Sequence, residues 1–252
     1  MKLFQSFIAC FSTYSRIPMP AVELNSDDMK YTMMFFPLIG IVIGAIEYLV
    51  YRICGNYMIP DYVRGIVMSV IPIFITGGIH VDGYMDTMDA FNSYGDKEKK
   101  LAIMKDPHAG GFAIIYLLVY SSLFFGFTSL LNDISILQYC FIFTISRVLS
   151  GISVVTIDGA KKEGMLRDIK KNSEAKVILT ILCVIGAVTI GFLSFINTAM
   201  AIVILAAATL GYVSYKHIAI KNFGGITGDT SGWYLCIMEL VFVVFITLGG
   251  II

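Results

Sequence analysis

Charge is scarce in this sequence. Asp, Glu, Lys and Arg make up only 14% of its 252 residues, against about a quarter in ordinary soluble domains. The 18 acidic and 18 basic residues cancel, so the chain has no basic bias toward nucleic acid, and no nucleic-acid partner is expected. The five cysteines, Cys10, Cys54, Cys140, Cys183 and Cys236, show no CxxC spacing, which argues against a disulfide framework or a zinc site. Those inside apolar runs read as small core residues. There is no Walker-type phosphate loop, dinucleotide fingerprint or nucleophile elbow. No linker or low-complexity tract divides the chain, so residues 1–252 read as a single domain. The N-terminal MKLFQSFIACF lacks a small-x-small cleavage site before Arg16 and Pro18 and is not read as a signal peptide.

What is abundant is apolar surface. Hydrophobic residues make up 57% of the chain and the mean hydropathy is +0.81, which predicts an all-α, polytopic membrane helix bundle. A span needs about 20 apolar residues. Seven runs qualify or nearly so: Met33–Val50, Gly65–Val81, Phe112–Leu131, Ile134–Ile157, Val177–Ile196, Thr198–Tyr215 and Trp233–Ile252. Pro72 is expected to kink the second. Phe4, Phe7, Ile8 and Phe11 recur at helical spacing, giving a short amphipathic helix at the bilayer interface. Of the 18 Lys and Arg, 15 fall in residues 1–32, 82–111, 158–176 and 216–232. By the positive-inside rule those loops are cytoplasmic, the N-terminus lies inside and the C-terminus outside. Arg147 and Glu239 lie within spans at depths that differ by only about 6 Å. Unpaired charge there is costly, which predicts that they pair, with Glu47 as the second choice.

The most informative stretch is GGIHVDGYMDTMDAFNSYGDKEKKLAIMKDPHAGG, Gly77–Gly111. Asp82, Asp86 and Asp89 stand at i, i+4 and i+7, so a helix puts all three carboxylates on one face. Such a face is repulsive unless a cation sits on it, and no Lys or Arg lies between Arg64 and Lys97. Hard oxygen ligands of this kind suit Mg²⁺ or Mn²⁺, above all when a substrate phosphate completes the shell. Gly77, Gly78 and Gly83 let backbone approach a ligand closely. The competing reading is a solvated acidic helix end.

This motif, the GDKEKKLAIMKDPHAGGFA that follows it, YSRIPMP (Tyr14–Pro20) and GGITGDTSG (Gly224–Gly232) together resemble, in order, the signature of the cobalamin synthase family, the adenosylcobinamide-GDP ribazoletransferases. The likeness covers nearly the whole chain. One departure is Gly110-Gly111, where the family often has Gly-Thr. The resemblance implies transfer of the cobinamide phosphate of adenosylcobinamide-GDP to α-ribazole, or its 5′-phosphate, with release of GMP. It also implies a multi-pass protein of a bacterial or archaeal cell membrane. Oligomerisation is left open.

Other residues are candidates for touching substrate. Lys105 and Asp106 flank the Pro107 turn and could reach a phosphate; Lys97, Lys99 and Lys100 read as a solvated basic helix face with Asp96 as its cap. Gly225 belongs to a Gly-rich loop expected to open the last span, with Thr230 or Ser231 as N-cap. Backbone amides there suit a phosphate, and with the resemblance Asp229 becomes a second metal or substrate ligand. GGIHVD (Gly77–Asp82) echoes GGITGD (Gly224–Asp229); if the echo is not chance, the two segments meet at one end of the bundle. Arg16 fits a phosphate contact and a headgroup anchor equally well. His80, His108 and His217 read as structural more readily than as bases, with His80 and His108 retained as substrate contacts.

Two other classes compete. CDP-alcohol phosphotransferases also place spaced aspartates at the end of a span, but the Ala-Arg pair that follows their first Asp-Gly is replaced here by Tyr84-Met85. An ion-coupled transporter would place its acids near mid-membrane on inverted repeats, and no such repeat is evident.

Overall fold

The computed structural model describes residues 2–23, 25–160 and 174–250. Among the described residues the architecture is entirely helical, as hydrocarbon surroundings demand of backbone that has no water to bond. Ten α-helices follow one another: α1 (Lys2–Tyr14), α2 (Thr32–Asn56), α3 (Asp61–Thr76), α4 (Ile79–Asn92), α5 (Lys97–Ile103), α6 (Gly111–Ser129), α7 (Ile136–Thr156), α8 (Ala175–Ile196), α9 (Thr198–Phe223) and α10 (Gly228–Gly249). A 3-10 turn, Ser26–Tyr31, leads into α2.

Six helices are long and apolar enough to cross a membrane, and a bent pair makes up to seven. The pair corrects one expectation. The run Gly65–Val81 is not a single span kinked at Pro72. Pro72 lies inside α3, its carbonyl taken by the Thr76 hydroxyl at 2.7 Å. The chain turns by 95° between α3 and α4 instead. Gly77 (φ 66°) and Gly78 (φ 79°) are both left-handed, a conformation cheap only for glycine, and they end one helix and open the next. At 1.5 Å per residue α3 rises about 24 Å, short of the roughly 30 Å hydrocarbon core.

Three further boundaries moved. α2 and α9 run on past Val50 and Tyr215, and α10 starts at Gly228, ahead of Trp233. Apolar content marks only the membrane-buried part of a helix, and polar turns extend it. Most of the expected polar loop Asp158–Lys176 lies outside the described residues.

α7 is the central helix, with most of its residues buried. α2 lies against it so closely that a Cβ at Gly40 or Gly44 would strike the backbone of Phe143 or Cys140, the close approach that small residues four apart permit between spans. α10 covers another side of α7. The expected ion pair joins them, with Arg147 Nη1 donating to Glu239 Oε1 at 2.6 Å and both residues almost fully buried. Ser146 donates to the same oxygen at 3.0 Å. Glu47, the second choice, is buried elsewhere in the core, where the Tyr139 hydroxyl donates to it at 3.5 Å.

Candidate active site

α4 carries Asp82, Asp86 and Asp89, and the 95° break frees its direction from that of α3. Its orientation is set by its neighbours. Tyr84 donates to the Tyr116 carbonyl of α6 at 3.3 Å, and Tyr116 donates to Asn92 at 3.2 Å. Trp233 of α10 donates to the Met88 sulfur at 3.1 Å. The tightest contact is glycine against backbone. A Cβ at Gly83 would stand 2.9 Å from the Asp229 backbone, and one at Gly232 would stand 3.1 Å from the His80 carbonyl.

This contact brings Asp229 against the acid-bearing helix from a position 146 residues beyond Gly83 in sequence. It also joins the two echoing segments, Gly77–Asp82 and Gly224–Asp229, as the sequence suggested. Asp229 sits in the first turn of α10, where a carboxylate favours the helix dipole. The cap is Thr227, not Thr230 or Ser231. Its hydroxyl accepts from the Thr230 amide at 3.1 Å while the Thr230 hydroxyl accepts from the Thr227 amide at 2.8 Å. This reciprocal box starts the helix early and leaves less loop than expected. Gly225 (φ 156°) is pressed against the Asp158 carbonyl, where Ala160 and Ile226 exchange a short backbone pairing with that segment. Gly225 thus serves close packing of two loops.

At the far end of the acidic row, Gly110 abuts the Asp89 carboxylate and leaves no room for a side chain, whereas a Cβ at Gly111 would meet nothing within 4 Å. A Gly-Thr pair would fit here as well. Lys105, Asp106 and His108 lie on the exposed turn leading into Gly110. Asp106 accepts from the His108 amide at 2.9 Å and bonds the His108 ring at 2.8 Å. Those His108 contacts hold the Asp106 carboxyl below its usual range. The basic helix α5 is capped by Asp96 as expected, and Lys100 reaches Asn222 at 3.1 Å.

At the near end, residues after α1 fold back onto the glycine break. The Arg16 amide donates to the Ile75 carbonyl at 2.7 Å, and its side chain lies against Gly77. A cleft of about 580 Å³ opens here, lined by Ser12, Ser15, Arg16, Gly77, Gly78 and Asp82 among others. Sequence reasoning named Arg16 and the glycines separately and missed that they touch; the serines were missed altogether, having no motif to mark them. His80 points away from this cleft. It is buried between Tyr14 and Phe36, at ring-centroid distances of 6.3 and 5.7 Å.

The carboxylates of Asp82, Asp86, Asp89 and Asp229 are hard oxygen donors of the kind Mg²⁺ takes. Among the described residues no three His, Cys, Asp or Glu side chains are close enough to hold one ion between them. Mg²⁺ is commonly held by one or two carboxylates plus substrate phosphates.

A multi-pass membrane protein with aspartates, glycines and an arginine gathered where its polar loops converge is a class that includes transferases working on phosphorylated substrates. The comparison with known sequences narrows it. Residues 6–247 match the cobalamin-5-phosphate synthase family model, and the chain belongs to that family. An adenosylcobinamide-GDP ribazoletransferase of Lachnoclostridium phytofermentans is 38% identical over 96% of this chain and 92% of its own length. The proteins of that name from Clostridium botulinum (Eklund 17B) and Clostridium perfringens (ATCC 13124) are 32% and 31% identical, each over 95% of this chain and 96% of their own. No solved structure matches the chain.

Proposed function

We propose that this protein is an adenosylcobinamide-GDP ribazoletransferase that uses the acidic face of α4 as its reaction centre. Family membership over nearly the full chain carries the reaction. The meeting of Gly83 with Asp229 supports the site, because it sets the backbone of a fourth acidic residue against the helix that carries the row.

The 5′-hydroxyl oxygen of α-ribazole, or of its 5′-phosphate, attacks the phosphorus attached to cobinamide. A P–O bond forms, the bond to the GMP oxygen breaks, and GMP leaves with the electron pair. One of Asp82, Asp86 and Asp89 accepts the hydroxyl proton. The others, one or two at a time and together with substrate phosphate oxygens, would hold Mg²⁺, which when bound supplies neutralisation of the diphosphate charge, and Asp229 is a further candidate ligand or substrate contact from α10. Arg16, exposed beside Asp82, presents a planar cationic fork to a phosphate oxygen. Gly77 and Gly78 let the substrate come close to the backbone at the mouth of the cleft. A volume of about 580 Å³ encloses a ligand of ordinary size, so the cleft takes the phosphate and ribose region and leaves the corrin ring outside. The positive-inside distribution supports a cytoplasmic face for this end.

The test is purified protein in detergent with adenosylcobinamide-GDP, α-ribazole and Mg²⁺. GMP release that depends on both substrates is expected. Solute uptake into liposomes without GMP release would refute the assignment in favour of a transporter.

A further inference from the structure

Behind the acidic face, the core holds a small cavity of about 20 Å³ between α3, α4, α6, α7 and α10, lined by Ser69, Thr76, His80, Arg147, Cys236 and Glu239 among others. Two of its lining residues, His80 and Arg147, carry nitrogens, Nε2 and Nε, that are fully buried and bond no group among the described residues. Both residues are more than nine-tenths buried. Buried polar atoms of this kind are nearly always satisfied, by protein or by an ordered water. One water needs roughly 10–15 Å³ and two to four polar partners, and this cavity meets both conditions. Neighbouring aromatic packing fixes the walls: Phe36 lies 5.7 Å from the His80 ring and 5.8 Å from the Arg147 guanidinium.

The geometry points to a resident water that accepts from Arg147 Nε–H and bonds His80 Nε2, making His80 a positioning residue for the acid-bearing helix. The Ser69 or Thr76 hydroxyl, or Glu239, supplies a third partner. His80 lies in the first turn of α4, two residues after the left-handed glycine pair and two before Asp82. Helical continuity cannot carry orientation across that break. The water carries it sideways instead, from the Arg147–Glu239 pair to the first turn of α4. The catalytic consequence rests on the function proposed above; the water and the anchoring do not.

The chain has three histidines, which makes a direct measurement practical. Water-edited solid-state NMR of ¹⁵N-histidine-labelled protein in lipid bilayers should show transfer from an immobile water to the resonance that His80→Gln removes. A dry His80 resonance would overturn the water. Hydrogen–deuterium exchange tests the anchoring. His80→Phe should speed exchange in residues 79–92 about tenfold while 175–196 stays unchanged, and His80→Gln, which keeps a polar group at that reach, should restore most of the protection. Unchanged exchange in His80→Phe, or a uniform rise in every helix, would overturn the positioning role. GMP release should follow the same order, wild type and His80→Gln above His80→Phe, with KM for α-ribazole unmoved. A wild type that releases no GMP would count against the transfer reaction and leave the NMR and exchange results to judge this proposal.

Discussion

Removing one member of the Arg147–Glu239 pair should destabilise the bundle more than almost any other single substitution. Arg147→Met leaves a carboxylate in the core with only the Ser146 hydroxyl, at 3.0 Å, to face it. Glu239→Leu leaves a guanidinium with the Phe143 carbonyl at 3.0 Å and the Ser146 hydroxyl at 3.3 Å. Neither remnant neutralises the charge, and neither group can reach bulk water from a site about 1–3% exposed. Breaking a buried pair in this way costs about 3–5 kcal/mol. At roughly 2–4 °C per kcal/mol for a chain of this size, that is a fall in melting temperature of about 6–20 °C. The double variant Arg147→Met/Glu239→Leu removes both charges and should melt within a few degrees of wild type, since apolar replacement of a whole buried pair is often neutral. Melting by intrinsic fluorescence in detergent, with lipid-reconstituted samples as a check, measures all four corners of the cycle. A double variant as unstable as the two losses added together would show that the charges do not interact and would refute the reasoning.

Four other outcomes follow from the same coordinates. Asn at Asp82, Asp86 or Asp89 should cut GMP release at least about a hundredfold with little change in melting temperature, and Lys97→Ala should leave turnover intact; near-normal release by all three Asn variants at saturating Mg²⁺ would remove the acidic face from the chemistry. Gly110→Val should abolish activity by driving a side chain into the Asp89 carboxylate, while Gly111→Thr should retain it, and equal loss in both would contradict the packing seen here. Glu47→Gln should cost less than about 1 kcal/mol in the same melting assay, because among the described residues no cation pairs with that carboxyl group and Gln keeps its size and its acceptor for the Tyr139 hydroxyl. Tyr94→Cys should react with a membrane-impermeant maleimide only after cells are opened and Asp133→Cys before it; the reverse order would invert the topology.

The spans were legible because apolar runs of the right length have few other uses, and the acidic face because three aspartates at i, i+4 and i+7 can share only one helical surface. The Arg147–Glu239 pair could be foreseen from depth alone, since the bilayer penalises every other arrangement. The break at Gly77-Gly78 was hidden by an apolar run that continues through it to Val81, although two consecutive glycines after such a run are a helix-stop signal. The Thr227 cap was missed because the capping box is built from two threonines, without the usual acidic partner. The meeting of Gly83 with Asp229 and the docking of Arg16 on the glycine break join residues 146 and 61 positions apart, and short-range periodicity does not reach so far. Their only trace was the GGIHVD–GGITGD echo.

The Gly83–Asp229 contact also gives the protein a timetable. The three aspartates of α4 leave the ribosome early, within the first 89 of 252 residues, but the helix they stand on finds its tightest contact only when α10 has been made and inserted. A nascent chain that ends after Asp89 but before residue 228 owns the acidic row and lacks the α10 surface that packs against it. A premature stop between the acidic motif and α10 therefore yields a protein with its signature motif intact and without the helix that packs against it.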